Sequence, residues 1–247
     1  MEAKTSRYGR LNTWDAMKLL ALAFMFTDHL GYFFLQDTMV LRAIGRGAIP
    51  IFLFLTGFAP VQRFKPDLLL LAAGLWALNL AEGGGVVPLG ILGTILIGRG
   101  LCRLLDTGRL RLQRPYEWLA GMVLFMLPSY YLFMDGTLAL MFVLCGYMQQ
   151  HAETYSSRMR LLCLVFVFAF ETLWDCMAFQ FNPADMLVVM TMMAFTGTLL
   201  WRFRVHTLTL PAAFAWAEPA LRLLSRYTLW IYALHFSAGQ LITGKHY

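Results

Sequence analysis

Charged residues are scarce in this chain. Of its 247 residues 14% are Asp, Glu, Lys or Arg, where soluble domains carry about 25%. Apolar residues make up 59% before Gly is counted, and the mean hydropathy is +0.61. That balance excludes a soluble fold, and with it disorder and a role on nucleic acid. The four cysteines, Cys102, Cys145, Cys163 and Cys176, form no CxxC and have no His at ligand spacing, so they read as small buried hydrophobes and no metal is expected. No Walker loop or GxGxxG is present, and Gly83-Gly84-Gly85 reads only as a turn. There is no internal repeat, Gly/Ser linker or low-complexity tract, which predicts one membrane domain over 1–247. The alternating ten-residue segments of a porin-type barrel are missing as well.

What the chain has instead is long apolar runs, and these predict an all-α transmembrane bundle. The runs cover roughly 12–35, 40–62, 67–82, 86–105, 116–134, 137–150, 161–180, 185–201 and 227–243. The third and sixth are short for a full span. Lys4, Arg7 and Arg10 before the first run imitate a signal peptide, but Lys18 interrupts the run and the apolar stretch continues to Leu35, so an uncleaved first helix is expected. The formal charge is +6, and its distribution says more than its sum. Threading the chain with its N-terminus in the cytoplasm puts 16 of the 20 Lys and Arg on the cytoplasmic side, while Asp37, Glu82, Asp135 and Asp185 fall outside. This alternation predicts nine crossings. Pro211, Glu218 and Pro219 interrupt the stretch from Thr207 to Ser225, which reads as an interfacial or re-entrant helix pair.

Ionisable side chains inside a span are costly unless paired or hydrated, so each marks a candidate site. On the first helix Asp15, Lys18, Met25, His29 and Tyr32 share one stripe at 100° per residue, with Asp28 one step aside. Such a stripe resembles the wall of a hydrated tunnel. The plainer alternative is that Lys18 reaches back to the interface and Asp28-His29 marks the outer end of the helix. In the second run Arg42 and Arg46 lie one turn apart, flanked by Gly45 and Gly47, which permit close backbone approach. These outer arginines need an anionic partner, and Asp28 is the nearest in sequence. Glu171 and Asp175 stand at i and i+4 of the seventh run and can face one interior, for packing or for chemistry. In the last run Thr228, Tyr232, His235 and Gly239 share a face, where Tyr232 offers His235 a hydroxyl partner. The loop from Arg99 to Arg114 holds five Arg against Asp106; lipid headgroups and topology account for it, and donor phosphates are the alternative.

Four elements together resemble the TraX family: Asp15-x-x-Lys18, Asp28-His29, Gly45-Arg46-Gly47-Ala48-x-Pro50-x-Phe52, and Tyr232-x-x-His235. That family comprises polytopic inner-membrane proteins of bacterial conjugation systems, including the acetylase of F pilin. The match is strongest over roughly 12–62 and 226–243. The same pattern is more distantly similar to the acyltransferase-3 and heparan-glucosaminide acetyltransferase groups, which pass acyl groups across the membrane from acyl-CoA. The resemblance implies an inner-membrane acyltransferase that moves acetyl from cytoplasmic acetyl-CoA to an extracytoplasmic acceptor, the N-terminal amine of a pilin. An O-acyltransferase of an envelope polysaccharide is the alternative within this class, and a non-enzymatic assembly factor or transporter the alternative outside it. Acyl transfer needs a base and a donor for the oxyanion. His29 is the candidate base, with Asp28, Arg46 and His235 as further catalytic candidates. Lys18, Arg42, Tyr232 and Glu171 are candidates for binding substrate or donor.

Overall fold

Asn12 starts the first helix by a reciprocal cap. Its side chain accepts the Asp15 backbone N–H at 3.0 Å, and the Asp15 carboxylate accepts the Asn12 N–H at 3.3 Å. In the computed structural model, which describes residues 10–35, 38–62, 66–81, 83, 90–132 and 135–244, helix α1 runs Thr13–His29 and continues into a single π-helical stretch, Leu30–Phe34. Lys4, Arg7, Asp37, Arg63, Lys65, Glu82, Gly84, Gly85, Lys245 and His246 lie outside the described residues.

The second run divides into α2 (Met39–Gly45) and α3 (Ala48–Phe58). Pro50 explains the break: it has no N–H for the Arg46 carbonyl, and its ring crowds that carbonyl, so the helix restarts with Pro50 in its first turn. Then follow α4 (Pro66–Ala81), α5 (Ile91–Asp106), α6 (Pro115–Leu124), α7 (Met126–Tyr130), α8 (Gly136–Gln150), α9 (Ser157–Ala178) and α10 (Pro183–Trp201). Among the described residues there is no strand, only an isolated bridge between Asn12 and Thr207.

Helix α8 is the core element, buried from Leu138 to Met148. It crosses α3 backbone to backbone, because a Cβ on Gly57 would overlap the Val143 carbonyl oxygen and one on Gly146 would overlap that of Phe54. Lipid gives little hydrophobic drive for helix association, so close approach at small residues supplies the packing instead. Cys102, Cys145 and Cys163 are buried here, and Cys176 is half-buried.

The outside is apolar. Helices α9 and α10 expose Leu162, Val165, Leu173, Met177, Leu187 and Met190, a surface suited to acyl chains and not to water. Among the described residues three helical stretches are long and apolar enough to cross a membrane: Met39–Phe58, Ser157–Ala178 and Pro183–Trp201. The protein is therefore a helical membrane protein. The two short runs become α4 (16 residues) and α8 (15 residues). At 1.5 Å per residue each spans about 22–24 Å, less than a hydrocarbon core of about 30 Å.

The helix pair expected after Thr207 consists of a 3₁₀ stretch, Ala212–Ala217, and an α-helix, α11 (Glu218–Arg226). Pro211 caps the first and Pro219 opens the second, leaving only nine residues for a regular helix. The segment is fastened to the start of α1: the Leu11 N–H donates to Glu218 Oε1 (3.0 Å), and the Ser225 hydroxyl donates to Asp15 Oδ1 (2.6 Å). Phe214, Trp216 and Leu223 stay exposed, consistent with a position at the membrane surface. The last helix, α12 (Thr228–Thr243), packs on α1, on the π-helical stretch and on α4.

Candidate functional site

The end of α1 meets the middle of α12. His29 Nδ1 lies 2.5 Å from His235 Nε2, and His235 Nδ1 lies 2.9 Å from the Ile231 carbonyl oxygen. A carbonyl can only accept, so His235 Nδ1 carries a hydrogen. In a neutral His235 the lone pair is then on Nε2, where it accepts the Nδ1–H of His29. This chain of donors puts the lone pair of His29 on Nε2. The tautomers follow from the hydrogen-bond network. Tyr232 packs its ring near both imidazoles, with centroids 6.2 Å from His29 and 6.0 Å from His235. The Phe33 ring, carried on the π-helical stretch, fills the space over Gly239, where a Cβ would stand 2.7 Å from it. A π-turn re-aims the residues around it, and here it follows directly on His29.

Beside the imidazoles lies a buried cluster of opposite charges. Arg42 pairs with Asp28 at 3.8 Å, and Arg46 Nε donates to Asp175 Oδ1 at 3.0 Å. Both guanidinium carbons stand 4.7 Å from the Phe179 ring centroid, and that of Arg42 stands 5.0 Å from the Tyr32 ring. Gly45 makes the first pair attainable: a Cβ there would stand 2.7 Å from Asp28 Cα and overlap its Cβ. Glu171 lies one turn before Asp175, 1% exposed, and interacts electrostatically with Asp175, Asp135 and Arg46. Asp135, in the turn before α8 with φ +58°, completes the group. Burial pushes its carboxyl up to about 6, Arg46 pulls the other way, and Asp175 and Asp28 add to the rise. Asp135 Oδ2, Glu171 Oε1 and Asp175 Oδ2 have no hydrogen-bond partner among the described residues. Four carboxyl groups thus surround two guanidinium groups. Among the described residues no three His, Cys, Asp or Glu side chains form a metal-holding group.

The structure brings six of the eight residues singled out in the sequence, namely Asp28, His29, Arg42, Arg46, Tyr232 and His235, to one end of the bundle, with Glu171 adjoining through Asp175. Lys18 is the exception. It lies about 16 Å down α1, eleven residues before His29, and lines a separate cavity with Arg99 and Arg226. The stripe between them is not a continuous hydrated wall: Leu22 and Met25 are buried with Ala48, against Phe52, Ile231 and Tyr232. Nearness in sequence pointed to Asp28 for the outer arginines. The structure gives Asp28 to Arg42 and a carboxylate 129 residues away to Arg46. Asp135 and Phe179 were not read as site residues. Asp135 looked like an ordinary loop acid, and nothing but tertiary packing brings Phe179 to the arginines.

A bundle with a paired-imidazole and buried-charge site at one end and a basic cavity at the other defines a helical membrane protein built around a polar centre. The chain matches the family model "TraX protein" over residues 13–241, which takes in every site residue described. It belongs to the TraX family. It is also 23% identical over 199 residues to an uncharacterized protein of Rickettsia prowazekii (strain Madrid E), covering 77% of this chain and 79% of that one. No solved structure matches.

Proposed function

We propose that the protein is a membrane-embedded acetyltransferase, with acetyl-CoA as donor and the N-terminal amine of a conjugative pilin as acceptor. The observation that carries the reading is the His29–His235 hydrogen bond, anchored on the Ile231 carbonyl and set beside the Arg42 and Arg46 ion pairs. His29 Nε2 takes a proton as the acceptor nitrogen attacks the thioester carbonyl. The new C–N bond forms, the C–S bond breaks, and the proton returns from the imidazolium to the departing thiolate. A positioned base of this kind is worth about 10² to 10⁴ in rate. His235 holds the tautomer, Arg42 and Arg46 supply positive potential for the oxyanion, and Asp28 fixes Arg42. Tyr232, whose ring lies beside both imidazoles, is the side chain placed to contact the acetyl group.

Two carboxyl groups in excess of the guanidinium groups favour an amine over a sugar hydroxyl. An ammonium arriving at Glu171, Asp175 and Asp135 offsets buried negative charge and can leave one proton on a carboxylate to become the attacking amine, and a hydroxyl does neither. The proposed topology has the N-terminus in the cytoplasm, nine crossings and the imidazole pair toward the outside of a bacterial inner membrane. The end of α1, the last turns of α9, helix α2 and the turn before α8 meet at this site, which supports antiparallel threading of these runs. The test is to incubate protein in lipid nanodiscs with acetyl-CoA and a peptide bearing a pilin N-terminus. One added acetyl on the peptide amine supports the reading. Neither peptide acetylation nor acetyl-CoA hydrolysis by folded protein returns the site to packing or transport.

A further inference from the structure

At the end of the bundle away from the imidazole pair, α1, α3, α4, α5, α11 and α12 enclose a cavity of about 150 Å³. At about 30 Å³ for each water it holds about five, room for a phosphate group and little more. Its lining is of two kinds. Lys18, Arg99, Arg226 and Asp67 supply charge, while Leu55, Leu68, Leu71 and Ile95 are buried apolar side chains. A ligand that satisfies both is amphipathic. Asp15 stands behind Ser225, which also lines the cavity, and accepts its hydroxyl. Among the described residues three cations are therefore set against two carboxylates, and the surplus of one positive charge matches a phosphodiester, which carries one negative charge.

Depth places this charge at the membrane surface. Lys18 follows Thr13 by five residues and Arg99 precedes Asp106 by seven, so at about 1.5 Å per residue each lies about 7–11 Å inside the end of its helix. Asp67 lines the same cavity from the second position of α4. The short α4 thus begins at a level where α1 and α5 are already one to two turns deep. A bilayer that meets so short a helix thins locally, which draws headgroups inward to the level of its end. Trp230, 40% exposed beside the cavity, marks the same level, because tryptophan settles among headgroups. Trp14 turns inward, its ring 5.8 Å from Phe58 and 6.1 Å from Phe203, and makes a packed wall.

We infer that this cavity seats the phosphodiester headgroup of an anionic phospholipid, with the phosphate on Lys18, Arg99 and Arg226 and the acyl chains running out over the apolar faces of α4 and α12. Guanidinium groups bind phosphate oxygens through two donors at once, and basic pockets between membrane helices are a recurrent seat for anionic headgroups. Leu69 and Leu70 of α4 and Leu234 of α12 are exposed close by in the chain and offer the acyl chains an apolar surface. A lipid wedged between these helices stabilises the folded bundle by mass action. The inference makes no use of the acetyltransferase reading, and the binding is measured without acetyl-CoA.

Delipidated full-length protein in a nonionic detergent is titrated with dioleoyl phosphatidylglycerol. Parallel titrations use dioleoyl phosphatidylethanolamine, inorganic phosphate and glycerophosphoglycerol, which is the headgroup without its chains. Native mass spectrometry counts the molecules retained, and the melting temperature reports their effect on the fold. A single tightly held phosphatidylglycerol should raise the melting temperature of wild type and of Arg109→Gln, a change outside the cavity, alike, and the other three ligands should not. Arg99→Gln and Arg226→Gln should each weaken phosphatidylglycerol binding about fivefold or more, as expected for one cation lost beside an anionic headgroup. Arg226 is exposed on α11, so its variant remains a fair test should Arg99→Gln fail to fold. Equal binding by wild type and the folded cavity variants would overturn the site, as would wild type that retains no phosphatidylglycerol. Equal binding of phosphatidylethanolamine would overturn the preference for an anionic lipid, and equal binding of glycerophosphoglycerol or inorganic phosphate would make this a site for soluble phosphate instead. None of these results bears on acetyl transfer, which the peptide assay decides separately.

Discussion

Removing the carboxylate from Asp175 takes from the Arg46 guanidinium an anion hydrogen-bonded to it at 3.0 Å, in a site with almost no water contact. Asp175 is 0% exposed and Arg46 is 4% exposed. Breaking one partner of a buried pair costs about 3–5 kcal/mol, because the remaining charge keeps its desolvation penalty and loses its compensation. Asp135 and Glu171 also act on Arg46, which argues for the lower end, about 3 kcal/mol for Asp175→Asn. At about 1.4 kcal/mol per factor of ten, that lowers the folded-to-unfolded ratio by roughly two powers of ten. A neutral hydrogen bond between membrane helices averages only about 0.6 kcal/mol, so the size of the effect reports whether the pair is charged. The double variant Arg46→Met with Asp175→Leu removes both charges and should recover most of the loss, since apolar replacement of a whole buried pair is often neutral. The assay is reversible denaturant unfolding in detergent for both single variants, the double variant and wild type, with acetyl transfer measured alongside. The expected pattern is two unstable single variants and a stable, inactive double variant. Single variants within about 0.5 kcal/mol of wild type would refute the claim that this pair is a charged element of the fold.

Three further outcomes are expected. His29→Ala and His235→Ala should accumulate in the membrane at normal abundance yet lose about 10² to 10⁴ in transfer rate; abundant and fully active His29→Ala protein would remove His29 as base. Gly45→Ala should cost about 1–3 kcal/mol by overpacking α2 against Asp28, and Gly74→Ala, where nothing lies within 4 Å of the added carbon, should cost far less; equal melting temperatures would refute the close crossing. Reporters fused after Arg109 and after Lys245 should fall in opposite compartments, and finding both on one side would remove the odd number of crossings, with α4 and α8 the first helices to question.

Much of the framework was legible in the sequence because hydropathy and charge alternation act locally. The first helix, the broken second one and the long α9 and α10 fall where their apolar runs predict. The Asp28-His29 and Tyr232-x-x-His235 motifs were legible because a polar group in an apolar run is conspicuous wherever it sits. Their union was not, since His29 and His235 are 206 residues apart and no local pattern encodes that contact. Asp175 as a partner of Arg46 was hidden for the same reason: proximity in sequence pointed only to Asp28, which pairs with Arg42, while the helix packing also delivers Asp175. Gly57 and Gly146 carry the tightest crossing in the core, yet each looks like an ordinary glycine in a run until the facing carbonyl is known. Asp135 was hidden by its place in a loop, where acids are common and usually solvated.

Intact-mass measurement of pilin decides whether the imidazole pair transfers an acetyl group to an amine. The pilin is taken from otherwise identical cells carrying wild-type protein, His29→Ala or neither. One added acetyl group on the pilin N-terminus is expected with wild type alone. Identical pilin masses in all three, with wild-type protein present in the membrane, would contradict it.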